Sequence, residues 1–210
     1  MIYVNVCIPT SGLVRAEHAL SVANFGLTFM QQPVFPDETQ KIIFRHLQSS
    51  CISYGRERLV SDALADGATH ILFIDDDIAF DPDVPYRLLR RERPLVVGNY
   101  KIRFEGMPFA ALTPDLTGRI ATTAQSPPLE ECGACGFGMA LIARTVFETL
   151  PQPWFPQQWH PDEKTYTTED FPFFQSAREH GFIPMIDHEA SRHLVHIGSY
   201  RYRWNDPRDT

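Results

Sequence analysis

The stretch that decides the fold is His70-Ile71-Leu72-Phe73-Ile74-Asp75-Asp76-Asp77, an apolar run that ends abruptly in three carboxylates. A short apolar run between turn residues is typical of a buried strand. Three adjacent acids repel one another unless a cation or hydrogen-bond donors neutralise them. Because ligands bind beyond the carboxyl ends of strands in an open α/β sheet, we interpret the acids as a divalent-metal site for an anionic ligand. A solvated acidic turn before Pro82 is the alternative that the tripeptide alone leaves open.

The chain around this stretch alternates between strand and helix patterns. Strands are predicted at 1–8, 41–47, 70–75 and 95–98, and helices at 14–31, 55–67 and 83–92. This order is typical of a mostly parallel sheet flanked by helices. In the first helix, apolar residues at near-helical spacing predict the face that packs on the sheet. These are Val14, Ala19, Val22, Ala23, Leu27 and Met30.

After residue 98 the pattern changes to short strands and irregular segments. We expect a small antiparallel extension at 99–103, 109–112 and 118–123, a strand at 139–143 and a short helix at 144–150. A long loop at 151–166 and a helix from about 167 to 179 follow, and then a strand at 183–186. Thr168, Glu169 and Asp170 stand at the start of that helix, where a cap and acidic residues are favoured.

Length and composition predict one α/β domain over residues 1–210, with halves at 1–98 and 99–210. The formal net charge of −7 argues against binding nucleic acid through broad charge neutralisation. No apolar run is long enough to span a membrane. The first residues lack the pattern of a signal peptide, so we expect a cytoplasmic protein. Formation of a homo-oligomer stays open.

The four cysteines are too few for a disulfide scaffold in a chain of 210 residues. Cys132 and Cys135 have the C-x-x-C spacing of zinc and redox sites. No second Cys/His pair with suitable spacing accompanies them, and glycines follow both cysteines. We therefore expect a turn at this segment, with a zinc site as the alternative.

Several separate segments together resemble one family, the nucleotide-sugar-dependent glycosyltransferases of the GT-A fold, particularly the small family 2-like type. The matching segments, in the family's order, are Arg56 in a helix, 73–77, Val97-Gly98 with Tyr100 and Lys101, 136–144, 168–170 and His196. Each match is weak alone, but the ordered set spans nearly the whole chain. The resemblance implies a GT-A (Rossmann-like) α/β fold and sugar transfer from a nucleoside-diphosphate sugar, with a UDP-sugar favoured.

The resemblance also implies roles for individual residues. Asp75 and Asp77 match the Asp-x-Asp acids, and these two with His196 would hold Mn²⁺ or Mg²⁺. The donor nucleotide and its sugar would contact Thr10, Ser11, Arg56, Asp75, Asp76, Lys101 and Gly136. Asp170 matches the catalytic base of inverting members, and Glu169 would orient the acceptor or the donor sugar.

The chemistry of these residue types agrees with such a reaction. A divalent cation stabilises the charge that grows on a leaving diphosphate, and hard oxygen ligands suit Mg²⁺ or Mn²⁺. A carboxylate at a helix start can take the proton of an acceptor hydroxyl, and the helix dipole is expected to lower its pKa. One base with direct attack predicts inversion of the sugar. Trp154, Phe155 and Trp159 are candidates for stacking on a sugar.

Other classes of enzyme fit the sequence less well. A dehalogenase-like phosphatase wants its nucleophilic acid on the first strand, whereas these acids follow the third. A sugar nucleotidyltransferase wants a glycine-rich loop after the first strand, and Pro9-Thr10-Ser11-Gly12 is poor in glycine. A P-loop is absent. We therefore predict a metal-dependent glycosyltransferase acting on a glycan or other hydroxyl acceptor, with a non-catalytic nucleotide-sugar or glycan-binding module as the alternative.

Overall fold

A computed structural model describes residues 1–103, 108–162, 164–198 and 201–205. Six helices are described: α1 Ala16–Gln31, α2 Ile52–Ala65, α3 Val84–Arg90, α4 Arg144–Thr149, α5 Asp170–Glu179 and α6 His188–Ser191. The first six strands are β1 Ile2–Thr10, β2 Gln40–Gln48, β3 His70–Ile74, β4 Ile78–Phe80, β5 Leu95–Val97 and β6 Leu129–Glu131. The others are β7 Met139–Ala143, β8 Trp159–His160, β9 Thr165–Tyr166, β10 Met185–Asp187, β11 Leu194–Ile197 and β12 Arg201–Tyr202.

Seven strands form the central sheet in the order β2-β1-β3-β7-β5-β10-β6. The pairs β2–β1, β1–β3 and β5–β10 are parallel, whereas β7 runs antiparallel to both β3 and β5, and β6 antiparallel to β10. Five of the seven strands therefore run in the same direction, and only β7 and β6 of this sheet run the opposite way. This confirms the prediction of a mostly parallel sheet. Strands from both halves of the chain alternate in it, because β7 lies between β3 and β5.

Side-chain alternation along the strands divides the apolar core between the two faces of the sheet. Along β3, Ile71 and Phe73 belong to one buried cluster, and Leu72 and Ile74 belong to the other. Residues of α2, α4 and α5 pack in the first cluster, whereas residues of α1 and α3 pack in the second. Since β3 is buried on both faces, its side chains form a continuous apolar run.

The first helix packs with a different face from the one predicted. Its buried residues are His18, Ser21, Phe25 and Phe29. Leu27 and Met30 are 58% and 80% exposed. Phe25 decides the orientation, because its ring makes edge contacts with four other aromatic rings, those of Phe29, Phe44, Phe80 and Tyr86. A buried phenylalanine stabilises the fold by about 1.5–3 kcal/mol, and two of them, Phe25 and Phe29, lie on the face that is buried.

The antiparallel extension differs from the predicted one. Segments 99–103, 109–112 and 118–123 are joined by isolated antiparallel bridges, Lys101 with Phe109 and Leu112 with Arg119, and not by continuous strands. A three-stranded sheet of order β12-β11-β4 and a hairpin of β8 and β9 are present instead. Strands β4 and β6 were not predicted, because both are short and neither is an apolar run set apart by turn residues: β4 directly follows the acidic motif, and β6 contains two glutamates.

Candidate functional site

The residues predicted for the site gather at the carboxyl edge of β1, β2 and β3, around a cavity of about 620 Å³. Parallel neighbours end at the same edge, so the loops after these three strands meet there. The predicted residues on the cavity wall are Thr10, Ser11, Arg56, Asp75, Asp76, Asp77, Gly136, Glu169, Asp170 and His196.

Pairing of β4 with β11 brings His196 to the acidic motif. The register places His196 opposite Ile78, and the Ile197 amide donates to the carbonyl of Asp77 at 2.8 Å. The His196 Nε2 atom then lies 3.5 Å from Asp77 Oδ1. Its Nδ1 atom lies 2.7 Å from the carbonyl oxygen of Lys101. Since a carbonyl only accepts, Nδ1 carries a proton and the lone pair of a neutral ring is on Nε2.

Two hydrogen-bond acceptors therefore face each other, the Nε2 lone pair of His196 and the carboxylate of Asp77. Such a pair suits either a shared proton or a cation between the two atoms. Burial raises the pKa of Asp77, but the hydrogen bond and charge of His196 and the charge of Arg103 outweigh it and hold the pKa below its usual value. An ionised carboxylate and an imidazole oriented by a backbone carbonyl fit the ligands of Mn²⁺.

The third predicted metal ligand, Asp75, is engaged differently. Its Oδ1 atom accepts from Arg56 Nη2 at 3.0 Å. Burial raises the pKa of Asp75, and Arg56 opposes that rise. Within the described ranges, no group of three or more His, Cys, Asp or Glu side chains is close enough to hold a metal ion. Of the three predicted ligands, only Asp77 and His196 therefore lie together, and a metal ion bound by this pair would need oxygens of the substrate or of water to complete its coordination.

Arg56 lies in the second turn of α2 rather than at its start, because this helix begins at Ile52. Its side chain is buried, and Nε donates to Glu169 Oε1 at 3.0 Å. The guanidinium also lies over the ring of Phe137, at 4.8 Å from its centroid. Arg56 therefore pairs with the acidic cluster, and it links Asp75 on the β3 side to Glu169 before α5.

Asp170 is the first residue of α5, and its carboxylate faces the cavity. Oδ1 accepts hydrogen bonds from the Thr168 hydroxyl and, at 2.9 Å, from the Phe171 amide. Burial nevertheless raises the pKa of Asp170, with the charge of Glu169 acting in the same direction. The lowering expected from the helix dipole was wrong, because loss of hydration outweighs it here. A raised pKa makes the ionised carboxylate a stronger base.

A second cavity, of about 300 Å³, opens on the other side of Asp170. Five residues line both cavities: Tyr100, Ile102, Gly136, Thr168 and Asp170. The rest of the second wall is mostly apolar, with Leu112 and Phe171, and Arg119 adds a cation. A group in one cavity would therefore reach a group in the other beside the Asp170 carboxylate.

Gly136 and Gly138 allow the close approach that joins the two cavities. A Cβ atom at Gly136 would overlap the hydroxyl oxygen of Tyr100 and lie 3.8 Å from Asp170 Oδ2. A Cβ at Gly138 would lie 2.6 Å from the same ring. The Gly138 amide donates to the Tyr100 hydroxyl at 3.2 Å, and the ring packs edge-on against His196. Tyr100 thus occupies the space that side chains at these positions would need.

The side chain of Lys101 does not fit the role predicted for it. It is buried, and its ammonium group lies 5.5 Å from the centroid of the Phe109 ring. Of the two cations in this segment, the one on the cavity wall is Arg103, whose Nη1 lies 3.0 Å from Asp77 Oδ2. Sequence reasoning missed Arg103, and the presence of two cations in one short segment was the only signal available.

The aromatic residues of the long loop also differ in part from expectation. Trp154 and Phe155 are buried in the core against Phe147, so neither is available for stacking on a ligand. Trp159 is 51% exposed and contacts Tyr166 across the β8–β9 hairpin. This hairpin immediately precedes Thr168 and Asp170. Trp159 therefore stays a candidate for contact with a sugar.

Cys132 and Cys135 are both buried and unpaired, as the turn interpretation expects.

A third cavity, of about 690 Å³, lies at the opposite end of the sheet between Met1, His70 and Pro94. None of the predicted site residues lines it. Most of the predicted site residues therefore lie at the two smaller cavities on the carboxyl edge of the sheet.

Comparison with solved structures identifies the fold. The chain resembles the crystal structure of A197 from STIV over 98% of its own length and 95% of that chain, with a TM-score of 0.61 at 15% identity. It also resembles the catalytic domain of Drosophila beta1,4-galactosyltransferase 7 in complex with xylobiose, over 94% of this chain and 71% of that one (TM-score 0.52, 14% identity). A mutant of that enzyme in complex with manganese, UDP-Gal and xylobiose matches similarly (TM-score 0.51, 13% identity).

These likenesses confirm the GT-A fold predicted from the sequence. No family profile and no curated protein sequence matches the chain. In the described residues, no helix is long and apolar enough to cross a membrane.

Proposed function

We propose that this protein is a metal-dependent glycosyltransferase that moves a sugar from a nucleoside-diphosphate donor to an acceptor hydroxyl with inversion. The observation that carries the proposal is the meeting of two cavities at Asp170. The larger cavity has the polar wall and the Asp77–His196 pair suited to a nucleoside diphosphate. The smaller one has room for one sugar-sized group beside the same carboxylate. A module that only bound a ligand would not need a half-buried carboxylate between two cavities.

The larger cavity divides into two chemically distinct ends. Thr10, Ser11, Ser49 and Ser50, after β1 and β2, offer hydroxyl and backbone groups for a nucleoside, and Ile52 offers an apolar surface. Arg103 and the Asp77–His196 pair form the other end of the cavity, where the diphosphate of the donor would lie. Mn²⁺ or Mg²⁺ bound by Asp77 and His196 would neutralise charge on the departing diphosphate. The fold likeness to an enzyme with manganese and UDP-Gal supports a UDP-sugar as the first donor to test.

In the proposed reaction Asp170 is the general base. The acceptor oxygen forms a bond to the anomeric carbon, its proton moves to the Asp170 carboxylate, and the bond between the sugar and the diphosphate breaks with its electron pair on the diphosphate. Attack from the side of Asp170, opposite the leaving group, inverts the anomeric centre. Arg56 binds both Asp75 and Glu169 and so fixes the start of α5 relative to Asp75. Because the Glu169 carboxylate is engaged by Arg56, its role in the proposed reaction is to orient the site, and the proton goes to Asp170.

A combined binding and turnover experiment tests this proposal. Thermal unfolding is measured with UDP-, GDP- and dTDP-sugars in the presence of Mn²⁺, since a ligand that binds the native state raises the unfolding temperature. We expect one donor to raise it, Asp77→Asn to remove the effect and Asp170→Asn to keep it. Donor hydrolysis or transfer should then be lost in Asp170→Asn. Donor binding without turnover in the wild-type protein under any acceptor would favour the binding-module alternative.

A further inference from the structure

The outer face of α1 carries an apolar stripe that no described part of the chain covers. Five of the twelve large hydrophobic side chains that are exposed in the described residues belong to residues 13–30, so exposure of this kind concentrates there. Leu20, Leu27 and Met30 are 62%, 58% and 80% exposed. The opposite side of α1 is buried through His18, Ser21, Phe25 and Phe29. The apolar stripe therefore points directly away from the core.

The spacing of the stripe is that of a helix-packing seam. Ala16, Leu20, Ala23, Leu27 and Met30 follow one another at intervals of four, three, four and three residues. This heptad spacing keeps side chains on one side of a helix that packs along another helix. A helix that only faces solvent would carry charged residues here, but Glu17 is the only Asp, Glu, Lys or Arg in residues 16–31. We call these five residues the α1 stripe.

A groove next to the α1 stripe extends the apolar surface to the edge of the sheet. It has a volume of about 490 Å³ and is lined by Val22, Gly26 and Phe44, as well as by members of the stripe. Strand β2 forms its far side, and in the described sheet β2 pairs on one side only, with β1. The opposite flank of α1 is polar, with Asn24, Thr28 and Gln31. The unpartnered surface thus runs from α1 toward the open strand edge.

We propose that the α1 stripe and the adjoining groove form the interface of a homodimer, in which α1 packs antiparallel against α1 of a second copy. Alanines and leucines alternate along the stripe, and this order suits a contact with two-fold symmetry. In such a contact, each pairing of a residue of one copy with a residue of the other occurs twice. In an antiparallel register, Leu20 of one copy faces Ala23 of the other, and Leu27 faces Ala16. Each leucine then fills the space above an alanine, in both directions at once.

The uncharged α1 stripe and the size of the surface fit a weak contact between two copies. The α1 stripe contains no charged residue, so two copies bring no like charges together at the seam, although the net charge of −7 on each copy opposes association and keeps the contact weak. A helix of 16 residues is about 24 Å long and about 10 Å wide, and the groove doubles that width, so the projected footprint is about 480 Å². Two copies would together cover about 960 Å² of projected area, which corresponds to the small and weakly associating interfaces below about 1,200 Å². Helices that lie on membranes carry Lys or Arg on their polar face, and this one has none.

Sedimentation velocity over about 1–200 µM protein tests the proposal. We expect the wild-type protein to form a dimer with a dissociation constant in the micromolar range. Leu27→Glu and Leu20→Glu should each raise that constant by about tenfold or more, because each buries a charge in the seam. Ile183→Glu is the matched control: Ile183 is also an exposed apolar residue, at 41%, but lies outside the α1 stripe, and its variant should dimerise normally.

Three outcomes would overturn the proposal. The first is a wild-type protein that stays monomeric across the whole range, and the second is a Leu27→Glu variant that dimerises as tightly as the wild type. The third is a monomer that floats with phosphatidylcholine vesicles and loses this behaviour in Leu27→Glu, which would assign the stripe to a membrane. Because the substituted residues are exposed, the circular dichroism spectrum and unfolding temperature of each variant should match the wild type. The dimer does not depend on the proposed function, and dimerisation is measured without any donor sugar.

Discussion

The Nε2 atom of His196 lies 3.5 Å from Oδ1 of Asp77, and the Nδ1 atom of the same ring is held by the Lys101 carbonyl. The backbone thus fixes the nitrogen that is directed at the acidic motif. His196→Ala should weaken Mn²⁺-dependent donor binding at least tenfold, because one of two protein ligands is lost while the cavity keeps its shape. The measurement is a titration of the donor with and without Mn²⁺.

His193→Ala is the control for this histidine. Its Nδ1 lies 2.7 Å from Asp81 Oδ2, at hydrogen-bond distance, and neither residue lines the cavity. The control should bind the donor as the wild type does. Equal donor affinity of His196→Ala and wild-type protein in Mn²⁺ would remove His196 from the metal site.

Asp170 gives a prediction about pH. A general base works only when ionised, so turnover should fall as pH drops through its pKa. Burial raises that pKa, so the acid limb of the kcat profile should lie above the value of about 3.9 for an ordinary aspartate. Thr168→Val removes a hydroxyl that lowers the pKa, and the limb should move to higher pH. Asp170→Asn should lower kcat about 10²–10⁴-fold with donor KM unchanged. A limb that does not move in Thr168→Val would place the titrating group elsewhere.

Local sequence patterns were sufficient for six of the seven strands of the central sheet and for most of the residues that line the larger cavity, and the reasons lie in particular residues. The apolar run before Asp75 is buried on both faces, so only one secondary structure suits it. The packing face of α1 was not predictable in the same way, because apolar residues occur on most sides of this helix. Tertiary contacts decide it: His18 bonds the Ile78 carbonyl at 2.9 Å, and the Ser21 hydroxyl accepts from the Phe80 amide. These partners belong to β4, which is too short to be recognised alone.

The same limit explains the error at Lys101. Both Lys101 and Arg103 are cations in one irregular segment, and local spacing does not indicate which one faces the cavity. The choice is made by Phe109, which covers the lysine, and by Asp77, which binds the arginine. Contacts between residues distant in sequence thus decide the details of the site, whereas local pattern was enough to place its acidic motif.

Arg56 should contribute strongly to stability. It is 5% exposed and bonds both Asp75 and Glu169, so Arg56→Met would leave two carboxylates without their cation. We expect the free energy of unfolding to fall by about 3–5 kcal/mol, as when one partner of a buried pair is removed. Arg58→Met is the matched control on the same helix, because Arg58 is 59% exposed and pairs only with Asp62. Its effect should stay within about 0.5 kcal/mol in urea unfolding. Equal losses in both variants would contradict the buried linkage.

The cysteines report on the packing of the core. Cys51 is exposed, whereas Cys7, Cys132 and Cys135 are buried. Burial raises the pKa of Cys132 to about 12, and burial also raises the pKa values of Cys7 and Cys135, so few thiolates are present at neutral pH. A disulfide reagent should therefore modify one thiol rapidly in the native protein and all four in urea. Cys51→Ser should abolish the rapid reaction. Rapid modification of a second thiol would mean that the segment at 132–135 opens in the native state.

Gly136 tests the junction between the two cavities. In Gly136→Ala the new Cβ would overlap the Tyr100 hydroxyl oxygen, while the next ring atom would lie 3.2 Å away. Tyr100 must then move, and its ring can no longer pack against His196 beside Asp170. We expect kcat to fall about 100-fold, the effect of a misplacement of roughly 1 Å near the reacting groups. Gly118→Ala is the control, since its Cβ would meet Thr113 at an ordinary 3.5 Å. The double variant Gly136→Ala with Tyr100→Phe removes the overlapping oxygen and should recover part of the lost turnover. No recovery would mean that Gly136 acts through its own backbone rather than through Tyr100.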